Sequence, residues 1–107
     1  MLRYGEIVAE RNDLKAWVVE ALRQLDGAGS IVQVCQRVWQ MHEAELRASG
    51  DLFFTWQYDI RWAAQYLRNV GLLIAVDNSR TKEWTLSSTG RSVALDQILS
   101  SAQTKKK

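Results

Sequence analysis

Hydrophobic positions recur at intervals of three and four residues in three stretches of the chain, which is the spacing of amphipathic helices. The first helix is predicted over about residues 13–26. The second begins at Ser30 after a glycine-containing break, because Ser30 and Gln33 have the spacing of a capping box. The third is predicted over 55–70. These three helices account for most of the regular structure that the pattern predicts.

The third helix has two distinct faces. Thr55 is predicted to cap its start, and Gly71 to end it in a left-handed conformation. The predicted core face carries Ile60, Ala63, Ala64, Leu67 and Val70. The opposite face carries arginine, glutamine and tyrosine, and lacks the lysine and glutamate that usually solubilise a helix. Its residues are Gln57, Tyr58, Arg61, Gln65 and Arg68.

After Gly71 the hydrophobic pattern changes to short runs rich in aliphatic, aromatic and β-branched residues. The runs LLIAV and EWTLS are separated by the polar DNSRTK, which predicts a β-hairpin. A last helix is predicted over 88–100, with Val93, Ala94, Ile98 and Leu99 facing inward, and 101–107 is predicted to be a disordered basic tail. Three helices followed by a hairpin is the order of a winged helix-turn-helix domain. The predicted fold is therefore α+β and mostly helical, with a single winged-helix domain over 1–100.

The connection before the third helix is a less regular feature. RASGDLFF interrupts the helical pattern over eight residues, 47–54. This is longer than the tight turn of the simplest helix-turn-helix. The second helix is therefore expected to be displaced.

The stretch IRWAAQYLRNVGLLIAVDNSRTKEWTLSSTG resembles the N-terminal winged-helix domain of Mrr-type restriction proteins. The resemblance covers about a third of the chain and rests mostly on core and turn residues, namely Trp62, Ala63, Tyr66, Leu67, Gly71, Leu72, Trp84, Leu86 and Gly90. It implies a recognition helix, a wing and the start of a following helix. In larger members of that family the domain is taken to bring a nuclease to DNA. This sequence holds no such nuclease segment, so the resemblance implies DNA attachment and not cleavage.

The composition fits one compact domain in a reducing compartment. The chain has 107 residues, 47% of them hydrophobic, and its single cysteine, Cys35, cannot form an internal disulfide. No secretory signal or membrane-spanning run is evident, so a cytoplasmic location is expected. The formal charge is +2 and is uneven: residues 1–54 hold six Lys/Arg against eight Asp/Glu, and residues 55–107 hold eight against four.

No set of residues in the sequence has the spacing of a catalytic or metal site. There is no glycine-rich phosphate loop and no paired-cysteine spacing, and the single histidine, His42, is followed by no second histidine at the spacing of zinc proteases. His42 is expected to be a partly buried, hydrogen-bonded side chain, and Cys35 a small core residue. The chain is therefore predicted not to be an enzyme and to need no cofactor or metal.

The sequence predicts a protein that binds double-stranded DNA, as a transcriptional regulator or an accessory DNA-binding factor. Arginine and glutamine can each make two hydrogen bonds to a base edge. Gln57, Arg61 and Gln65 are the candidates for base contacts. The candidates for phosphate contacts are Arg68, Arg80, Lys82 and Arg91, and Tyr58 suits either role. A homodimer through the N-terminal segment or the last helix is plausible, because one half-site binds weakly.

The alternative is a protein interaction module that acts as a subunit or inhibitor of a larger complex. Winged helices also bind proteins, and a net charge of +2 suits that function. Trp17 and Trp84 are predicted to lie in the core, and Trp62 to pack rather than to contact DNA. An exposed patch that included Trp39, Trp56 and Phe53 or Phe54 would favour the interaction module.

Overall fold

The computed structural model describes residues 9–74 and 83–98, and these form a mostly helical α+β structure. In chain order the elements are α1 (Asp13–Gln24), β1 (Ala28–Gly29), α2 (Ile31–Arg47), α3 (Leu52–Asn69), β2 (Trp84–Thr85) and α4 (Ser88–Ser92). The three long helices pack on one another around a single apolar core. The predicted helical content and its order along the chain are confirmed.

The capping box at the start of α2 forms as predicted. The Ser30 hydroxyl accepts a hydrogen bond from the Gln33 backbone N–H at 3.1 Å, and the Gln33 side chain accepts one from the Ser30 N–H at 2.9 Å. The helix is kinked at His42, whose φ is −130° and ψ 25°. The helix axis therefore changes direction at the kink, so the part of α2 from Ile31 to the kink is not collinear with the last turn.

The predicted start of the third helix is wrong. It begins at Leu52, and Thr55 lies inside it, where its hydroxyl donates to Asp59 Oδ2 at 2.9 Å. Leu52 and Trp56 are both buried, so the apolar stripe extends one turn further toward the N-terminus than the sequence pattern suggested. The burial of these two side chains stabilises the additional turn.

The connection between α2 and α3 is consequently short. It consists of residues 48–51, and the expected eight-residue interruption does not occur. Gly50 lies in it with φ +66°, a left-handed value that favours glycine. The turn has the length typical of a helix-turn-helix, so the reason for expecting a displaced second helix disappears.

The end of α3 follows the prediction in one respect and differs in another. Gly71 has φ +85°, as expected for a residue that ends the helix in a left-handed conformation. Val70, however, is exposed rather than part of the core. The helix ends at Asn69. Val70 follows the last helical residue, and its side chain does not join the inner face.

A small antiparallel sheet lies at the end of the helices. Gly29 of β1 pairs with Trp84 of β2, and a further antiparallel bridge joins Leu73 to Leu86. The strand β1 was not predicted, because its two residues stand in the glycine-containing break. The tip of the predicted hairpin, with Arg80 and Lys82, lies outside the described residues, as does the tail 101–107.

The predicted last helix is interrupted. The helix α4 ends at Ser92, Val93 is extended with φ −65° and ψ 145°, and residues 95–98 are helical again. Ile98 is buried as expected, but Ala94 is exposed. The extended Val93 changes the orientation of residues 95–98 relative to α4. The two helical pieces therefore do not share the single inward face that a continuous helix would have.

The tryptophans Trp17 and Trp84 are buried as predicted. Trp56, for which a surface role had been considered, is buried too. No helix among residues 9–74 and 83–98 has the length and apolar character needed to cross a membrane.

Candidate functional site

The outward side of α3 carries four exposed side chains, Gln57, Tyr58, Arg61 and Gln65, which we call the α3 face. At about 100° per residue these positions fall within roughly a quarter of the helix circumference. Tyr58 is 77% exposed. The sequence-predicted base-contacting residues are therefore brought together on one accessible surface.

Arg68 contacts both its own helix and the sheet. Its Nη1 donates to Gln65 Oε1 at 3.4 Å, and its guanidinium lies 5.8 Å from the Trp84 ring centre. Its Nε is buried without a hydrogen-bond partner among the described residues, and burial lowers the pKa of the guanidinium from its usual value. Arg68 thus connects the end of α3 to the sheet, and only part of its guanidinium is available to a ligand.

The contacts of Arg91 are with the loop that follows α1 and not with the α3 face. It is exposed on α4, and its guanidinium lies close against the backbone of Gly27, in the loop between α1 and β1. A Cβ added at Gly27 would approach Arg91 Nη2 to 2.2 Å. The other two candidates for phosphate contacts, Arg80 and Lys82, are outside the described part of the chain.

A groove adjoins the α3 face, and we call it the α2–α3 groove. Its volume is about 770 Å³. The residues that line it are Ile31, Val32, Cys35, Gln36 and Trp39 from α2, and Phe53, Phe54, Trp56, Gln57 and Arg61 from α3. Two members of the α3 face, Gln57 and Arg61, therefore also line the groove.

Aromatic rings form much of the wall of the α2–α3 groove. The Trp39 and Trp56 ring centres lie 6.0 Å apart at an interplanar angle of 13°, and Trp39 lies 6.4 Å from Phe53. Phe54 meets Phe53 edge to face at 5.0 Å and is 82% exposed. Val32 is 61% exposed on the opposite helix. The surface is markedly more apolar than the pattern of either helix alone suggested.

The positive charge of Arg61 acts on the Cys35 thiol, which lines the α2–α3 groove. Burial raises the pKa of the Cys35 thiol, and the positive charge of Arg61 partly offsets this effect. Cys35 is half-buried rather than fully enclosed. The guanidinium of Arg61 is therefore close enough to the groove to favour a negative charge there.

His42 occupies a structural position, as expected. Its ring nitrogens lie 3.0 Å from Glu20 Oε1 and 3.1 Å from Glu45 Oε1, and its ring stacks on Trp17 at 3.8 Å. These contacts join α1 to the kinked part of α2. Within the described segments no group of three or more histidine, cysteine, aspartate or glutamate side chains is placed to hold a metal ion.

Lys15 is a feature that the sequence analysis missed. It is buried on α1, and its Nζ lies 3.8 Å from the Tyr66 ring centre and 4.9 Å from that of Trp62. Trp62 also contacts the Arg11 guanidinium and packs against the core, so its ring is engaged within the protein. The spacing of Trp62 and Tyr66, one turn apart, was the available signal for such a cation site.

Comparison with known proteins identifies no relative: no protein-family model matches the chain, and neither a curated protein nor a solved structure matches it. The interpretation of the site therefore depends on its own geometry.

Proposed function

We propose that the protein binds double-stranded DNA through the α3 face. The observation that carries this proposal is the common exposure of Gln57, Arg61 and Gln65 along successive turns of one helix. Glutamine pairs with adenine and arginine with guanine through two hydrogen bonds in the major groove, which is wide enough to admit a helix. The three side chains have both the chemistry and the spacing for base contacts.

The arrangement of the elements supports a winged-helix interpretation. Three helices precede the antiparallel pairing of Leu73 with Leu86, and the connection 48–51 has the length and the glycine of a helix-turn-helix. The resemblance to the N-terminal domain of Mrr-type restriction proteins agrees with this order. On this proposal α3 enters the major groove and the hairpin follows the backbone, in a transcriptional regulator or an accessory DNA-binding factor.

The phosphate contacts on this proposal come from Arg80 and Lys82 of the hairpin, assisted by Arg68 and Arg91. Their role is to position the protein and not to read the sequence. Arg68 contributes less than its charge suggests, because its guanidinium is half-buried beside Trp84. Tyr58 is exposed beside Arg61 and can donate to a phosphate or a base.

The proposal is tested by the binding of a labelled random duplex at several salt concentrations. Phosphate neutralisation requires that the logarithm of the association constant falls linearly with the logarithm of the salt concentration. The double variant Gln57→Ala/Arg61→Ala should bind more weakly, while Arg37→Ala is the matched control. Arg37 lies on α2 and donates to Gln24, outside the α3 face. If parent and double variant bind equally, or if neither binds, α3 is not a DNA-reading helix.

A second candidate function is that of a protein interaction module, and one observation favours it. Phe54 and Val32 are large apolar side chains exposed on the two walls of the α2–α3 groove, and Tyr58, one turn along α3 from Phe54, is exposed as well. Exposed apolar patches commonly mark surfaces that a partner covers. Trp56 does not join this patch, because it is buried, and Trp39 is half-buried. If the parent shows no salt-dependent duplex binding, this function replaces the first.

A further inference from the structure

The α2–α3 groove is an open surface groove whose volume falls within the range of small-molecule sites. Ligand sites typically have volumes of about 300–1,000 Å³ and combine apolar walls with a few polar groups. Here the volume is about 770 Å³, and the partly exposed rings of Trp39 and Phe53 supply aromatic surface from two helices, with the buried Trp56 stacked behind Trp39. Flat rings of a ligand can pack against such surfaces in stacked or edge-to-face arrangements.

The polar groups of the groove determine the charge that it accepts. Among the described residues that line it, Arg61 is the charged one, and Gln36 and Gln57 supply two amides. The Arg47 guanidinium adds positive charge beside the same wall, 5.2 Å from the Trp39 ring centre and 5.9 Å from that of Phe53. A guanidinium offers paired donors that fit a carboxylate or a sulfonate. Arg61 and Cys35 both line the groove, so the positive charge of Arg61 lies at its wall. The site therefore suits a single negative charge next to an aromatic surface.

The rim of the groove adds apolar surface that a ligand ring would cover. Phe54 is 82% exposed and meets Phe53 edge to face, so a ring beside Phe53 would also contact Phe54. Val32 stands on the other helix. Covering apolar surface of this kind is worth about 25 cal/mol for each Å² removed from water.

We propose that the α2–α3 groove binds a small aromatic anion, a carboxylate or sulfonate of two or three rings, with its rings against Trp39 and Phe53 and its charge at Arg61. Because Gln57 and Arg61 also belong to the α3 face, an occupied groove withdraws them from DNA. This regulatory consequence rests on the proposed function, whereas the binding of the anion does not.

The anion is tested with two fluorescent probes that differ only in charge. One is 8-anilinonaphthalene-1-sulfonate and the other is N-phenyl-1-naphthylamine, which has the same rings without the sulfonate. The parent should bind the sulfonate saturably with one site. Arg61→Gln should weaken the sulfonate about threefold to tenfold and leave the neutral probe unchanged. Arg37→Gln, the matched control on α2 whose guanidinium donates to Gln24 of α1 and does not line the groove, should change neither.

The location is tested with Cys35 as a chemical reporter, because it is the single cysteine and lines the groove. Saturating sulfonate probe should slow the alkylation of Cys35 by iodoacetamide about fivefold or more. Equal affinities of parent and Arg61→Gln for the sulfonate would overturn the proposal. Unchanged alkylation of Cys35 would overturn it as well, since the probe would then bind elsewhere.

A second copy of the chain is the alternative occupant, and sedimentation velocity distinguishes it. Suppose that the parent is a dimer, that Phe54→Ser converts it to a monomer, and that only the variant binds the sulfonate. This result would assign the groove to self-association and overturn the small-anion proposal. A parent monomer that binds the sulfonate supports it.

The effect on DNA is measured last, by titrating a labelled duplex with and without saturating sulfonate probe. The probe should weaken duplex binding of the parent at least threefold, by the reciprocal coupling of two ligands that compete for Arg61. If the parent binds no duplex at all, the proposed function fails while the groove result stands. If duplex and probe bind without mutual effect, the regulatory part of the inference is wrong.

Discussion

Arg61 takes part in both proposed activities, the binding of DNA and the binding of an aromatic anion. Its side chain is exposed on the α3 face, it lines the α2–α3 groove, and its charge acts on Cys35. Arginine is suited to both surroundings, because its planar guanidinium binds bidentate acceptors and also lies against aromatic rings. A substitution at Arg61 is therefore informative for DNA and for the anion.

Replacement of Arg61 by alanine should relax the sequence preference of the protein at one base position. The loss of a bidentate contact to guanine O6 and N7 costs about 1 to 3 kcal/mol in binding. The melting temperature should change little, since an exposed arginine contributes little to folding. The measurement is a comparison of selected binding sites for parent and variant at one fixed salt concentration. An equal loss on every sequence would instead indicate a phosphate contact.

The reactivity of Cys35 should report the charge of Arg61 directly. Burial raises the pKa of the thiol and Arg61 lowers it, so Arg61→Gln removes the lowering influence and should raise the pKa further. The thiolate is the reactive form, so the pH-rate profile of alkylation should move to higher pH. Arg37→Gln should leave the profile in place. A profile that does not move for Arg61→Gln would show that the guanidinium points away from the groove.

At the scale of elements, the sheet and α4 meet in a very close contact. A Cβ added at Gly90 would lie 2.1 Å from the carbonyl oxygen of Leu72, the residue that begins the chain's path from α3 to the sheet. On the other side of α4, Arg23 of α1 donates to the carbonyl oxygens of Gly90 and Val93. This small helix is therefore held between α1 and the sheet by its backbone.

Gly90→Ala should destabilise the protein, because neither the Leu72 backbone nor α4 can move without breaking these contacts. The expected loss in the free energy of unfolding is about 1 to 3 kcal/mol, the usual cost of overpacking a close contact. Urea denaturation of parent and variant measures it. Thr89→Ala, at the exposed neighbouring position, is the control and should change stability by no more than about 0.5 kcal/mol. Equal midpoints for parent and Gly90→Ala would show that α4 is not held closely.

The core tryptophans connect different elements and should carry much of the stability. Trp17 of α1 stacks on His42 of α2, and Trp84 of β2 lies under Arg68 of α3. Trp17→Ala and Trp84→Ala should each cost about 3 to 5 kcal/mol, a large fraction of the stability of so small a domain. Phe54→Ala removes an exposed ring and is the control. Thermal melting that is unchanged in either tryptophan variant would remove that residue from the core.

At the scale of the whole molecule, the charge distribution is more informative than the net charge. The total is only +2, but the second half of the chain carries the excess of lysine and arginine. Long-range attraction to DNA depends on where cations are concentrated and not on their sum. The hairpin, with Arg80 and Lys82, is the part of that half which the winged-helix interpretation places along the DNA backbone.

Reversing both hairpin charges with Arg80→Glu and Lys82→Glu should weaken duplex binding similarly for all sequences. Two lost phosphate contacts should also flatten the slope of the log–log salt dependence by about two units. The measurement is a salt titration of parent and double variant on the same set of duplexes. An unchanged slope would place the hairpin away from DNA, and a change confined to some sequences would imply base contacts.

The features that depend on neighbours along the chain could be predicted from the amino-acid pattern. The helical periodicity predicted all three long helices, Ser30 and Gln33 predicted their reciprocal cap, and Gly71 predicted the end of α3. The exposed side of α3 was also predictable, because a polar stripe one turn apart faces solvent whatever the fold. These interactions span at most a few residues, so the local pattern contains the information.

The tertiary structure alone decided the features that depend on distant partners. The start of α3 moved to Leu52, and Trp56 became buried, because other helices supply the apolar surface that covers them. Gly29 is a strand residue because it pairs with Trp84, which is far along the chain. The α2–α3 groove is also of this kind. Its walls come from two helices whose separation and rotation are determined by packing, so no pattern within either helix could show that Trp39, Phe53 and Arg61 share one surface.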